Sequence, residues 1–147
     1  MTGLWQVTLT VLSGVLIYIL GQITMKLVIE PILDLRKLRG EIADALFFYA
    51  NIYFNPQISA PEETQAAGKA FRQQASQLMA RSFAIPGYWV WSLFCLVPKQ
   101  LDVTEASRLL TGLSNGVLEP HDAKSGDDNQ KRAKRIKELL KLESAGC

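Results

Sequence analysis

Few side chains in this sequence are spaced for catalysis or metal binding. The one histidine, His121, lies in a polar stretch with no candidate nucleophile beside it, which disfavours a catalytic triad. Glu41 and Asp44 stand one helical turn apart and could share a hard metal ion. Because Lys37 precedes Glu41 by one turn and no second helix carries matching carboxylates, we favour a solvated, ion-paired stripe.

The two cysteines do not form a Cys-x-x-Cys pair. Cys95 lies in an aromatic run and is expected to be a small core residue, while Cys147 is expected to be a free thiol in a reducing cytoplasm. Gly112 and Gly116 do not form a phosphate-binding or dinucleotide-binding loop. We therefore expect no enzyme, no cofactor and no metal site.

The composition indicates one domain, or one domain with an appendage. The chain has 147 residues, 48% of them hydrophobic, which excludes disorder throughout, and its cysteines are too few for a disulfide scaffold. Its net charge of +2 conceals an uneven distribution. Residues 1–25 carry no charged side chain, whereas residues 131–141 include six basic side chains and one acidic side chain.

The uncharged stretch at residues 4–25 is long enough to cross a bilayer. As a helix it would measure roughly 33 Å, against a hydrocarbon core of about 30 Å. A cleaved signal peptide is disfavoured because no basic residue precedes the run and no Ala-x-Ala site follows it. A buried soluble helix remains the alternative. The predicted membrane span includes Leu4, Trp5, Gly14, Tyr18, Gly21 and Met25.

The charges beside this segment predict its orientation. No basic residue precedes it, and four follow it closely: Lys26, Arg36, Lys37 and Arg39. Because basic residues favour the cytoplasmic side, we expect a single-pass protein of the cell membrane, with its N-terminus outside and its body in the cytoplasm.

Residues 27–118 show the period of amphipathic helices, with no strand alternation. In the first of them, apolar residues recur at steps of three and four at Ile32, Leu35, Leu38, Ile42, Leu46, Tyr49 and Tyr53. Pro31 is expected to kink it near the membrane exit. The pattern Ser59-Ala60-Pro61-Glu62 predicts a capped helix over residues 62–82. A further capping box at Asp102 begins a helix expected to stop at Asn115-Gly116.

The aromatic run at residues 82–98 is too short to span once Pro86-Gly87 has interrupted it. It could be part of the bundle core, an interfacial or re-entrant element, or a second span. The possible interfacial aromatics are Tyr88, Trp89, Trp91 and Phe94.

The C-terminal part is divided into a polar linker over residues 119–130 and a basic amphipathic helix over residues 131–147. Its basic patch comprises Lys131, Arg132, Lys134, Arg135, Lys137 and Lys141. The apolar stripe of this helix could dock on the bundle, or the helix could bind a lipid surface. Nucleic acid is disfavoured because there is no stacking platform.

The predicted fold is all α. It has a transmembrane anchor over residues 1–26, which continues into a small cytoplasmic bundle of three or four helices over residues 27–118, followed by the basic C-terminal helix. The function expected from this fold is that of a membrane-anchored interaction protein: a scaffold, adaptor or regulatory subunit. Its partners would be the bilayer and either a protein or a second copy.

Two other functions stay open at this point. One is a self-assembling effector or channel, in which the small residues Ser13, Gly14 and Gly21 pack subunits while Gln22 and Thr24 line a polar route. The other, which we disfavour, is an enzyme that uses the two carboxylates described first.

Overall fold

The computed structural model describes residues 2–55, 59–119 and 125–142, and every regular element in those ranges is a helix. The elements are α1 (Thr2–Thr24), a π turn (Met25–Ile29), α2 (Glu30–Phe48), α3 (Ala50–Phe54), α4 (Pro61–Phe83), α5 (Tyr88–Leu93), α6 (Gln100–Leu118) and α7 (Ser125–Leu139).

The first three elements form one continuous rod from Thr2 to Phe48, about 70 Å long at the usual helical rise. Its first half extends beyond the bundle, and none of its most apolar window is buried. Its second half packs into the bundle through the predicted stripe, which includes Leu35, Leu38, Ile42 and Leu46, all fully buried. For the described residues, the all-α class and one N-terminal helix long and apolar enough to cross a membrane are confirmed.

The π turn is the local response of the rod to Pro31. The Glu30 N–H donates to the Met25 carbonyl, five residues back instead of four. Proline has no N–H, and its ring would crowd the carbonyl of Leu27 in a regular helix. The widened turn accommodates the ring, so the predicted kink takes the form of a π turn in an unbroken helix.

The packed helices alternate in direction. Arg81, near the end of α4, donates to the carbonyl of Asp34 near the start of α2, at 2.8 Å. Ser114, late in α6, donates to the carbonyl of Gly68, early in α4, at 2.7 Å. The start of α2, the end of α4 and the start of α6 therefore share one end of the bundle, called here the proximal end. The opposite end is the distal end.

α4 packs most closely against α6. Small residues on the inward face of α4 allow this approach, because Ala67, Gly68 and Ala75 are all buried there. The core that results is mainly aliphatic, and the aromatic side chains of Phe71, Tyr53 and Tyr88 are also buried in it. Its largest fully buried side chains are Phe71, Leu35, Leu38, Ile42, Leu46, Leu78, Leu110, Leu113, Ile136 and Leu140.

Two predicted helix boundaries are wrong. α4 has Ala60 rather than Ser59 at its N-cap position. α6 begins at Gln100 and continues through Asn115-Gly116 to Leu118. Gly116 serves a close approach rather than a C-cap, since a Cβ there would lie 2.2 Å from the Asn129 side-chain oxygen. Contacts between helices have overridden the local stop signal.

The predicted division between linker and C-terminal helix also differs from the structure. α7 begins at Ser125, inside the expected linker, and it packs on α6 and α3. Asn129 faces inward and is fully buried, with its amide donating to the Tyr53 carbonyl at 3.4 Å. Asp127 and Asp128 lie in the first turn, where carboxylates favour a helix N-terminus. α7 is therefore a member of the bundle.

Candidate functional site

The exposed half of the long helix is the largest apolar surface among the described residues. Trp5, Tyr18 and Met25 are exposed, and a Cβ added at Gly14 or Gly21 would meet no atom within 4 Å. The side chain of Leu4 lies outside the described part. An exposed apolar surface of this extent is characteristic of a protein or membrane contact. Its length and composition suffice to cross a bilayer.

Three hydroxyl side chains on this surface donate hydrogen bonds within the helix. Thr10 donates to the carbonyl of Gln6, Ser13 to that of Thr10 and Thr24 to that of Leu20, each at 2.9 Å. In a hydrocarbon environment these bonds remove the cost of unpaired hydroxyl groups.

The predicted interfacial aromatics divide into two that are packed against the bundle and two that are exposed. Tyr88 is buried and donates to the Pro98 carbonyl at 2.8 Å. Trp91 is half-buried, and its indole N–H donates to the Pro86 carbonyl at 3.0 Å. Trp89 and Phe94 are exposed. Because α5 has only six residues, about 9 Å of helix, it is too short for a second span.

Burial of Tyr88 changes its ionisation. It raises the pKa of the phenol to about 12, against the lowering effect of nearby Arg39 and with a smaller raising effect from Asp102. Burial also lowers the pKa of Arg39, as does the positive charge of Arg36. The buried Tyr88 and the partly buried Arg39, in the middle of α2, therefore lie close enough to affect each other's charge state.

An apolar groove of about 350 Å³ opens between α5 and the long helix. Trp91 and Leu96 form one side, and Val28 and Ile32 belong to the other. Arg36 is the charged residue among those that line it. The groove lies where the rod leaves the bundle, so α5 flanks the predicted membrane exit.

The prediction for Cys95 is wrong. The side chain is exposed and disulfide-bonded rather than a reduced core thiol. Cys95 has a left-handed φ of 57°, and the N–H of Leu96 donates to the Trp91 carbonyl, which is the geometry of a Schellman helix end. α5 therefore ends before Cys95 and turns it outward. Cys147 lies outside the described residues.

The structure does not bring the carboxylate candidates together with other ligands. Glu41 and Asp44 are exposed, and Lys37 pairs with Asp34 at 3.7 Å rather than with Glu41. Within residues 2–55, 59–119 and 125–142, no three His, Cys, Asp or Glu side chains are grouped to hold a metal ion. His121 lies outside these ranges.

The basic patch does not form one uniform surface. Arg132 turns inward and donates to the Gly112 carbonyl and to Asn129. Arg135 bonds Glu105 at 3.1 Å and Glu138 at 3.4 Å, and acceptance by these carboxylates raises its pKa. The other four predicted residues have mixed surroundings. Lys131 pairs with Asp128, Lys134 is exposed, Lys137 is partly exposed, and Lys141 closes the helix with a φ of 52°.

The apolar stripe of α7 is occupied by the bundle. Ala133, Ile136, Leu139 and Leu140 are all buried. A helix that lies in a membrane surface needs such a stripe for the lipid. In the described arrangement, the stripe contacts the protein instead.

Two features at the distal end were missed from the sequence. A polar cleft of about 480 Å³ lies between α6 and α7, and its lining includes Arg132, Glu119 and Asp128. Beside the end of α2, Phe47 and Phe48 are 85% and 74% exposed. The signal for the second feature was available, because neither phenylalanine falls on the buried stripe of α2.

Comparison with protein families, curated proteins and solved structures finds no match for this chain.

Proposed function

We propose that this chain is a membrane-anchored helical interaction protein, in which residues 5–25 cross the bilayer and the bundle contacts a protein partner. One observation carries the proposal. The part of the long helix that is apolar enough to cross a membrane is not buried by the rest of the described protein. The same helix continues into α2, which packs into the core of the bundle. A lipid environment provides burial that the bundle does not.

The distal end is the surface we assign to the partner. Phe47 and Phe48 lie at the end of α2, about 27 Å along the helix from Glu30. Lipid at the exit of the span does not reach that far, so a protein surface is the cover that suits two exposed phenylalanines. The scaffold, adaptor or regulatory role follows from this arrangement of anchor and remote contact.

The anchor is tested by extraction from membranes. Full-length protein should resist both high salt and alkaline carbonate, whereas deletion of residues 1–25 should make the body extractable by these treatments. The core starts at Ile32, so the truncated body retains all its buried residues. Full-length protein released by carbonate would contradict the anchor.

The partner surface is tested by a photo-crosslinking residue placed at Phe47 in cells, with the same group at Asp44 as a matched control on the exposed side of α2. We expect a discrete protein adduct from the first position and none from the second. Equal labelling at both positions, or none at Phe47 in protein that remains anchored, would contradict the assignment.

We place the N-terminus outside the cell, on the basis of the basic residues that follow the span. The disulfide at Cys95 is typical of an oxidising compartment and opposes this orientation. Labelling with a membrane-impermeant thiol reagent distinguishes an N-terminus outside the cell from an N-terminus inside it. Thr2→Cys and Phe47→Cys are introduced one at a time into a protein that carries Cys95→Ser and Cys147→Ser. In intact cells only the Thr2 position should react, and the reverse pattern would invert the topology.

A self-assembling channel is the second candidate. Gly14 and Gly21 have no side chain, and a Cβ at either would meet no atom within 4 Å, so a partner helix could approach this face closely. Dye release from vesicles and mass measurement in detergent distinguish this function from the first. Monomeric protein that releases no dye would exclude a channel.

A further inference from the structure

We infer that the proximal end of the bundle docks on the bilayer through a second, non-spanning contact. We call this contact the proximal patch, and it rests on the anchor proposed above. The patch consists of five apolar side chains: Phe83, Trp89, Leu93, Phe94 and Leu101. Its occupant is the headgroup and upper acyl region of the bilayer that the anchor crosses.

The patch is unusual in its exposure. Each of its five side chains is between 67% and 82% exposed, although each belongs to a large apolar residue type. They come from separate elements: the last residue of α4, the short helix α5 with the residue after it, and the start of α6. Exposed apolar residues gathered from several elements indicate a contact surface.

The bonds of the neighbouring residues place the patch at the membrane exit. Arg81, two residues before Phe83, bonds Asp34 at the start of α2. Tyr88, next to Trp89, bonds Pro98 just before α6. Trp91 lines the groove against Val28 in the π turn. These three contacts bring the elements that carry the patch to the segment where the rod leaves the bundle.

The chemistry of this end suits a lipid interface. Tryptophan and phenylalanine favour the headgroup level of a bilayer. Lys26 in the π turn and Lys99 at the N-cap of α6 are exposed, and both can extend their charged groups toward water or lipid phosphate. The apolar groove continues from the span surface toward α5, so lipid contact need not stop at the helix itself.

The bilayer is favoured over a protein as the occupant because of this continuity. An anchor that crosses the membrane holds the proximal end at the lipid surface permanently, and a second contact there forms without a further loss of translational freedom. A protein partner at the same place would have to displace lipid from both the patch and the groove.

The test is tryptophan quenching in vesicles of phosphatidylcholine brominated on the upper part of its acyl chains. Full-length protein and the variants W5F and W5F/W89F are reconstituted. The difference between wild type and W5F isolates Trp5, and the difference between the two variants isolates Trp89. Trp91, which supports the groove, remains in every sample. Phe47→Trp in W5F/W89F reports on the distal end.

We expect the brominated lipid to remove a comparable fraction of the emission of Trp5 and Trp89, with no loss from the tryptophan placed at Phe47. Quenching of Trp5 without Trp89 would overturn the proximal patch and leave the anchor intact. Quenching of neither would overturn both proposals. Equal quenching at the distal position would also overturn the patch, because the contact would then not be confined to the proximal end.

A second pair of variants tests the patch without changing a tryptophan. Leu93→Ser/Leu101→Ser replaces two exposed side chains and should reduce the quenching of Trp89, whereas Phe48→Ser at the distal end should not. Circular dichroism should show unchanged helix content in both, because none of these side chains is buried. Unchanged Trp89 quenching in the double variant would overturn the assignment.

Discussion

The guanidinium of Arg39, in the middle of α2, donates a hydrogen bond to the main-chain carbonyl of Leu140, directly after α7. It also reaches the carbonyl of Lys141 at 3.2 Å. Carbonyls at a helix C-terminus lack partners within the helix, and a cation there is favoured by the helix dipole. One side chain thus joins the first helix of the bundle to the last.

Replacement of Arg39 by methionine should destabilise the protein by about 2 kcal/mol, because hydrogen bonds from a charged donor are lost at a half-buried site. Chemical denaturation measures the loss, and faster hydrogen exchange in the last turn of α7 would localise it. The matched control is Arg108→Met, at an exposed position of α6. Equal stability of the two variants would contradict this role for Arg39.

Two glycine substitutions should act in opposite directions. Gly116→Ala places a methyl group 2.2 Å from the buried Asn129 side chain and should cost about 1–3 kcal/mol through forced repacking. Gly40→Ala meets no atom within 4 Å on an exposed helical face and should stabilise by up to about 1 kcal/mol. Thermal unfolding of the pair in one detergent measures both, and a neutral Gly116→Ala would mean that α7 approaches α6 less closely.

The buried Tyr88 phenol predicts a loss of stability in alkali. Its pKa is raised from the usual value near 10 to about 12, so the folded state holds the proton more tightly than the unfolded state. Its contribution is therefore fully present below pH 10 and is lost as the pH rises through 12. Unfolding measured from pH 8 to 12 should show a shallower alkaline decline in Tyr88→Phe, and parallel curves would contradict it.

The hydroxyl of Ser114 should contribute to the stability of the folded protein although the group is small. It is buried and bonds the Gly68 carbonyl at 2.7 Å across the closest helix pair. Ser114→Ala should cost about 1–3 kcal/mol, because it leaves a buried carbonyl without this donor. Thr111→Ala is the control, since the Thr111 hydroxyl is exposed and bonds only within its own helix. The comparison is made by denaturant unfolding, where similar midpoints would refute the prediction.

Helical periodicity predicted most of the core, for a physical reason. Leu35 and Ile42 in α2, Phe71 in α4 and Leu110 in α6 each belong to an apolar stripe with helical spacing in their own helix, and all four are buried. The apolar length of residues 4–25 likewise predicted a helix that the bundle does not cover. Both properties depend on residues close together in sequence, so neither requires knowledge of the tertiary fold.

Features that depend on contacts between distant residues were not predictable in this way. Asn115-Gly116 has the sequence signature of a helix stop. In the structure, the absence of a Cβ at Gly116 instead lets the side chain of Asn129, in another helix, pack closely against α6. Ser125 lies in a polar stretch, yet α7 begins there, and Asn129 in its second turn bonds Tyr53 in another helix. The proximal patch combines residues from separate elements, and only the reversal of direction between α4 and α6 brings them together.

The unbroken rod from Thr2 to Phe48 has a mechanical consequence. No loop separates the spanning half of the rod from the half packed in the bundle. When the spanning half changes its tilt in the membrane, the bundle therefore tilts with it. A change of about 10°, well within the range of tilts found for such helices, would move Phe48 sideways by roughly 5 Å. A change in bilayer thickness that alters the tilt would then displace Phe47 and Phe48 at the distal end, while the proximal patch stays at the membrane surface.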